Sequence, residues 1–295
     1  MVEQPFQVPV GSGTLHGHVG GDGPPALLLH GGAAVTDYMD GCARELDGLV
    51  RTIRYQQRGT FPSVSGPPYS IEAHVGDALA VLDFFEIDRV WVVGHSWGGH
   101  LALHLAVNHP ERLLGIVAVA AVGAYSDVFA EQEAAMRRDL DPEWVQRIEE
   151  IEARRRRGVV TEDELLERMS YLWPRWFADP ENASPNPIVH IGPQSSIDAN
   201  ASLAAHYAAK TLERRLPDVR LPALFVHGEL DPFPLRSSTA TAALIPGARV
   251  EIIEGCGHFP WLERPGELRR RVRSVVKSRG WAVLDAVRRD RSHVG

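Results

Sequence analysis
Short runs of consecutive apolar residues alternate along this chain with longer stretches whose apolar positions recur every three or four residues. The first rhythm belongs to buried strands and the second to helices lying on them. Ala26 to His30, Thr52 to Gln56, Val90 to Val93, Ile116 to Ala121, Pro222 to His227 and Arg249 to Ile253 are the expected strands. Between them, Ser70 offers an N-cap to a helix with Ile71, Val75, Leu79, Leu82 and Phe85 on one face. A second helix runs from Gly98 to Val107, and a third, with Pro265 near its start, carries Leu268, Val272 and Val275. Strands alternating with helices at this spacing predict an α/β fold, a mostly parallel sheet with helices on both faces. Ahead of it, residues 6 to 19 alternate around Gly11-Ser12-Gly13 and predict an antiparallel hairpin.

The pattern changes at Tyr125. From there to about Arg215 no core strand is legible, and two helices have start signals: Asp141-Pro142, and the capping box Thr161-x-x-Glu164. The expected organisation is a core of residues 1–124 and 216–285, an inserted helical cap of 125–215, and a tail of 286–295. Arg154 to Arg157 places four cations in the last turn of an exposed helix, where they suit its negative end. Trp173, Trp176 and Phe177 either line a substrate mouth or glue the cap to the core.

Composition narrows the class without naming the chemistry. The chain has 295 residues, 23% of them charged, and a formal net charge of −7, which argues against non-specific attachment to nucleic acid or an anionic membrane. Cys42 and Cys256 imply no disulfide framework, and the opening Met-Val-Glu-Gln-Pro-Phe does not read as a signal peptide, so a cytoplasmic protein is expected. The longest apolar run, Leu113 to Ala124, is too short to span a bilayer.

Chemistry concentrates at the strand exits. Gly94-His95-Ser96-Trp97-Gly98 puts Ser96 on a sharp strand-to-helix turn, with the N–H of Trp97 at a helix N-terminus where it can hold an oxyanion. A serine hydroxyl is a weak nucleophile near neutrality and needs a histidine to take its proton and a carboxylate to orient that histidine. Asp231, after Pro222 to His227, and His258, after Arg249 to Ile253, supply both, in the chain order serine, aspartate, histidine. Asp127 competes for the place of the acid, while His95 is expected to point away from the serine. If the glycine-rich exit His30-Gly31-Gly32 lies beside Ser96, the N–H of Gly32 is the second oxyanion donor. No nucleotide loop, dinucleotide fingerprint or metal cluster is legible, so no cofactor is implied.

These motifs, with Arg58-Gly59, Gly228-Glu229-Leu230-Asp231 and Gly257-His258-Phe259-Pro260-Trp261-Leu262-Glu263-Arg264-Pro265, resemble the α/β-hydrolase superfamily over roughly residues 8 to 280. Within it the chain looks most like the proline iminopeptidase branch. The resemblance implies Ser96, Asp231 and His258 as the triad, Gly32 and Trp97 as the oxyanion hole, and a small molecule or short peptide as substrate. It departs from that branch at Ala33-Ala34, where Pro-Gly is usual, at Gln56, where Asp is usual, and at Phe177, where a glutamate for the substrate amine is expected. The expectation is a serine hydrolase cleaving an ester or amide through an acyl-enzyme. Acyl transfer or cyclisation by the same triad, and a non-catalytic ligand binder of the same fold, are the alternatives.

Overall fold
A computed structural model describes residues 2–11 and 13–277; the tail expected at 286–295 lies outside the described residues. Eight strands form one sheet, β1 (Glu3–Val10), β2 (Gly13–Gly20), β3 (Pro25–Leu29), β4 (Arg51–Tyr55), β5 (Val90–His95), β6 (Leu113–Val119), β7 (Ala223–Gly228) and β8 (Arg249–Ile253), in the order β1-β2-β4-β3-β5-β6-β7-β8. The β1-β2 hairpin is antiparallel and β2 joins β4 antiparallel; every later pairing is parallel. Every residue of β5 and of β7 is buried, because helices cover both faces of the central sheet. The edge strand β8 has only Ile253 buried.

Helices α1 (Asp40–Glu45), α2 (Ile71–Phe84) and α3 (Trp97–Asn108) belong to the first half of the sheet. Ser70 caps α2 by accepting the N–H of Ala73, and its Ile71, Val75 and Leu82 are buried as the periodicity predicts. All of α3 but Asn108 is buried, so it packs like a core element and not like a surface helix. The strand expected at Ile116 to Ala121 starts earlier, at Leu113, and stops at Val119, where Ala120 turns to a positive φ of 46°.

Between β6 and β7 the chain is helical: α4 (Val128–Arg137), α5 (Pro142–Arg156), α6 (Glu162–Leu172), α7 (Pro193–Ala208) and α8 (Thr211–Arg215). Asp141 caps α5, and Thr161 and Glu164 form the reciprocal capping box of α6. Helix α7 has no start signal beyond Pro193. It nevertheless buries Ala199 and Leu203 in the cluster that holds α3, and Ser202 Oγ accepts the N–H of Ile71 at the start of α2. Helices α9 (Arg236–Ala242) and α10 (Pro260–Glu263) follow β7 and β8, and a last described helix covers 267–277.

Candidate active site
The turn between β5 and α3 holds Ser96 at φ 53° and ψ −116°, a conformation that strains a residue bearing a Cβ. Hydrogen bonds impose it: the N–H of Ser96 donates to Val119 O at 2.9 Å, and its carbonyl accepts from Val122 N at 3.1 Å and His100 N at 3.2 Å. The flanking glycines are required by contact. A Cβ on Gly94 would lie 2.2 Å from Gly98 O, and one on Gly98 would lie 2.0 Å from Leu29 O.

His258 follows β8 and meets Asp231, which follows β7. Nδ1 of His258 is 2.9 Å from Oδ2 of Asp231, and Oδ1 of Asp231 accepts the N–H of Phe233 at 2.9 Å. Because an ionised carboxylate only accepts, this geometry puts the imidazole proton on Nδ1 and leaves Nε2 as a lone-pair base. Both side chains are buried, which pushes the Asp231 carboxyl up to about 7 and the His258 imidazolium down to about 3. Burial thus keeps the histidine neutral, the form in which it can take a proton. Asp127 is elsewhere, exposed at the start of α4 and 3.7 Å from Arg236.

His95 was expected to point away from the serine, and both of its ring nitrogens are engaged elsewhere, one of them on the histidine loop. Its buried ring lies 4.5 Å from that of His258; Nε2 sits 2.8 Å from the His258 carbonyl and Nδ1 2.7 Å from Tyr38 Oη. Since the carbonyl can only accept, Nε2 carries the proton and Tyr38 donates to Nδ1. His95 therefore fixes the histidine loop and has no nitrogen left for Ser96.

The glycine-rich exit is beside the serine. Strands β3 and β5 are neighbours, and a Cβ on Gly31 would fall 2.7 Å from Ser96 Cβ. Nε2 of His30 accepts the N–H of Gln57, Gln57 Nε2 donates to His30 O, and Trp97 Nε1 donates to Gln57 Oε1, tying β3, β4 and α3 together under that exit. Gln56, at the position of the branch's aspartate, holds the following loop through Asp37 N and Val35 O, each at 2.8 Å. Gly32 and Trp97 line one cavity with Ser96 and His258. The N–H of Trp97, in the first turn of α3, has no carbonyl of its own helix to bond.

That cavity has a volume of about 480 Å³. Near His258 it is aromatic: the Trp176 ring lies 4.4 Å and the Phe233 ring 5.9 Å from the imidazole. Trp173 and Phe177 are buried against Phe259 and glue the helical segment to the core, while Trp176 lines the mouth, so the aromatic cluster does both jobs. The same cavity is also lined by Arg137, Arg155, Arg156 and Arg168 and by Glu133 and Glu152. Glu133 pairs with Arg137, and Glu152 with Arg155 and Arg168. Sequence patterning missed Phe233, the lining arginines and the contribution of α7, whose Ser196, Asn200 and Leu203 also line the cavity. Among the described residues no group of three or more histidine, cysteine or acidic side chains is placed to hold a metal ion, and no helix is long and apolar enough to cross a membrane.

A family model described as an alpha/beta hydrolase family matches residues 26–271. The chain is 29% identical over 264 residues to a 2-hydroxymuconate semialdehyde hydrolase of Pseudomonas putida, covering 88% of this chain and 89% of that one. It is 28% identical over 255 residues to a rhodomycin D methylesterase of Streptomyces peucetius, covering 80% and 85%. Among solved structures, a proline iminopeptidase of Mycobacterium smegmatis superposes with a TM-score of 0.67 at 24% identity, over 95% of this chain and all of that one (100%). At that identity the likeness speaks for the fold alone.

Proposed function
This chain belongs to the alpha/beta hydrolase family, and from that premise we propose that it is a serine hydrolase of carboxylic esters whose acyl part carries an anionic group. The observation that carries the reading is the buried Asp231–His258 pair, 2.9 Å apart, whose histidine lines the same cavity as Ser96. In this mechanism Ser96 Oγ attacks the ester carbonyl carbon while His258 Nε2 takes its proton. Asp231 stabilises the imidazolium, and the N–H groups of Gly32 and Trp97 receive the oxyanion. Collapse breaks the bond to the leaving alkoxide, which takes the proton from His258. Water, deprotonated by the same imidazole, then releases the acid. Residues 125–215 serve as the cap that closes the cavity over the substrate.

The substrate class rests on charge. Four arginines and two glutamates line the cavity, and both glutamates are already paired with arginine. A free α-amine, which a peptidase of the iminopeptidase type must hold, finds no unengaged carboxylate there, whereas a carboxylate finds guanidinium donors. The similarity to enzymes named for 2-hydroxymuconate semialdehyde and for a methyl ester supports a small carbonyl substrate. The test is a pair of esters differing only in whether the acyl chain ends in a carboxylate or in its neutral amide. The acid should be turned over with at least about tenfold higher kcat/KM, roughly one charge-assisted hydrogen bond, and Arg156→Gln should reduce that preference. Preference for the neutral ester would overturn the substrate class, and turnover by Ser96→Ala would overturn the serine mechanism.

A further inference from the structure
We propose that Glu263 is a positioning residue that latches the helical cap to the loop of the catalytic histidine, an inference that rests on His258 being the base. Glu263 ends the four-residue helix α10, a motif position that the triad itself does not use. One of its carboxylate oxygens, Oε2, accepts the N–H of Gly257 at 2.8 Å and the N–H of Ala178 at 2.8 Å; the other, Oε1, accepts the N–H of Phe259 at 3.0 Å. Gly257 and Phe259 flank His258, while Ala178 lies 85 residues earlier, in the segment between α6 and α7.

The N–H of His258 completes the set by donating to Trp176 O at 2.9 Å. Three successive backbone donors of the histidine loop are thus spent on Glu263 or on the cap, and the Glu263 side chain binds both. The Trp176 ring stacked against the imidazole belongs to the same short cap segment. A shift of that segment therefore moves the imidazole's aromatic wall and the loop that carries the imidazole together. His95 holds the other side of the loop through the His258 carbonyl. The base is located by Glu263 from α10, by Trp176 from the cap and by His95 from the sheet.

A carboxylate is the group this arrangement needs, because both of its oxygens only accept. In Glu263→Gln one oxygen becomes an NH2 that must face either Phe259 N or the pair Gly257 N and Ala178 N, donor against donor. The side chain keeps its size and loses the latch. Displacing a base by a fraction of an ångström to an ångström costs up to about a hundredfold in rate.

The experiment measures three things on the full chain: the rate at which a fluorophosphonate labels Ser96, ester kcat and KM, and amide hydrogen exchange at Ala178, Gly257 and Phe259. Glu263→Gln should slow labelling and kcat by about tenfold to a hundredfold, leave KM within about threefold, and speed exchange at Ala178 together with the histidine-loop amides. Leu268→Ala, in the next helix and fully buried, is the comparison for simple destabilisation. It should lower Tm at least as far while labelling and kcat stay within about twofold. If Glu263→Gln labels at the parent rate, or if only the histidine-loop amides loosen, the latch is wrong. If the parent protein itself is not labelled at Ser96, it is the serine-hydrolase reading that fails.

Discussion

Acidification should unfold this protein through its buried histidines, to an extent that can be worked from the structure. His30, His74, His95, His100, His104 and His258 are all nearly inaccessible to solvent, and burial is the leading cause that drives each imidazolium below its ordinary value of 6.5. For His74 and His258 the value falls to about 3, for His100 to about 4 and for His104 to about 2. The unfolded chain binds protons at these residues near pH 6.5 and the folded chain does not, so stability falls as pH falls below 6.5. Going from pH 7.5 to 5.5, each of the four histidines held at about 4 or below costs about 1.4 kcal/mol, about 5.5 kcal/mol together, and His30 and His95 add to the loss in the same direction. Asp231 acts in the opposite sense, because its carboxyl, raised to about 7, takes up a proton in the folded state over the same interval. It returns about 2 kcal/mol, leaving a net loss of at least about 3.5 kcal/mol, a large part of a typical domain's stability. Urea unfolding followed by far-UV circular dichroism at the two pH values measures this as a fall in the midpoint at constant m. His74 gives an internal check, since among the described residues neither of its ring nitrogens has a hydrogen-bond partner. His74→Leu should stabilise the protein by about 1–3 kcal/mol at pH 7.5 and remove about 1.4 kcal/mol of the pH dependence. A stability that changes by less than about 1 kcal/mol between the two pH values, or that rises on acidification, would refute the reasoning.

Other substitutions probe the site directly. Asp231→Asn should leave the fold intact and lower kcat by about 10⁴-fold, because an amide NH2 opposite Nδ1 favours the wrong imidazole tautomer; steady-state ester kinetics reads this, and the same change at exposed Asp127 should leave kcat within about twofold. Gly98→Ala forces a methyl group to within 2.0 Å of Leu29 O, and soluble expression with a thermal melt should show loss of the folded state or a severe drop in Tm. The pH profile of kcat/KM should show an acid limb near pH 7, because burial raises the Asp231 carboxyl to about 7 and a protonated carboxyl no longer fixes the His258 proton on Nδ1.

What was legible in the sequence is what depends on near neighbours. Gly94 and Gly98 around Ser96 mark a turn whose tightness is set within five residues, and β5 and α3 on either side carry their periodicity plainly. Asp231 and His258 could be located because each ends an apolar run at the same edge of the sheet, where parallel strands present their exits. The missed features depend on contacts distant in sequence. His95 was expected to point away from the serine, but that its ring ends on the His258 carbonyl, 163 residues along the chain, was not legible. The accepting role of Glu263 needs Ala178, and the arginine lining of the cavity appears only when α5 and α6 are folded over Ser96. Helix α7 was hidden by the proline- and serine-rich residues before it and by small residues along its buried face, which carry little hydrophobic signal. Strand β6 was misplaced by three residues at its start because Leu113-Leu114-Gly115 reads equally well as a helix exit.

The central claim is that Ser96 is a nucleophile activated by His258. Reacting the folded protein with a fluorophosphonate and locating the adduct by peptide mass spectrometry tests it most directly. A single adduct on Ser96, formed with loss of ester turnover and absent from His258→Ala, is the predicted result. Ester turnover that survives full reaction, or an adduct on a different residue that accounts for its loss, would contradict it.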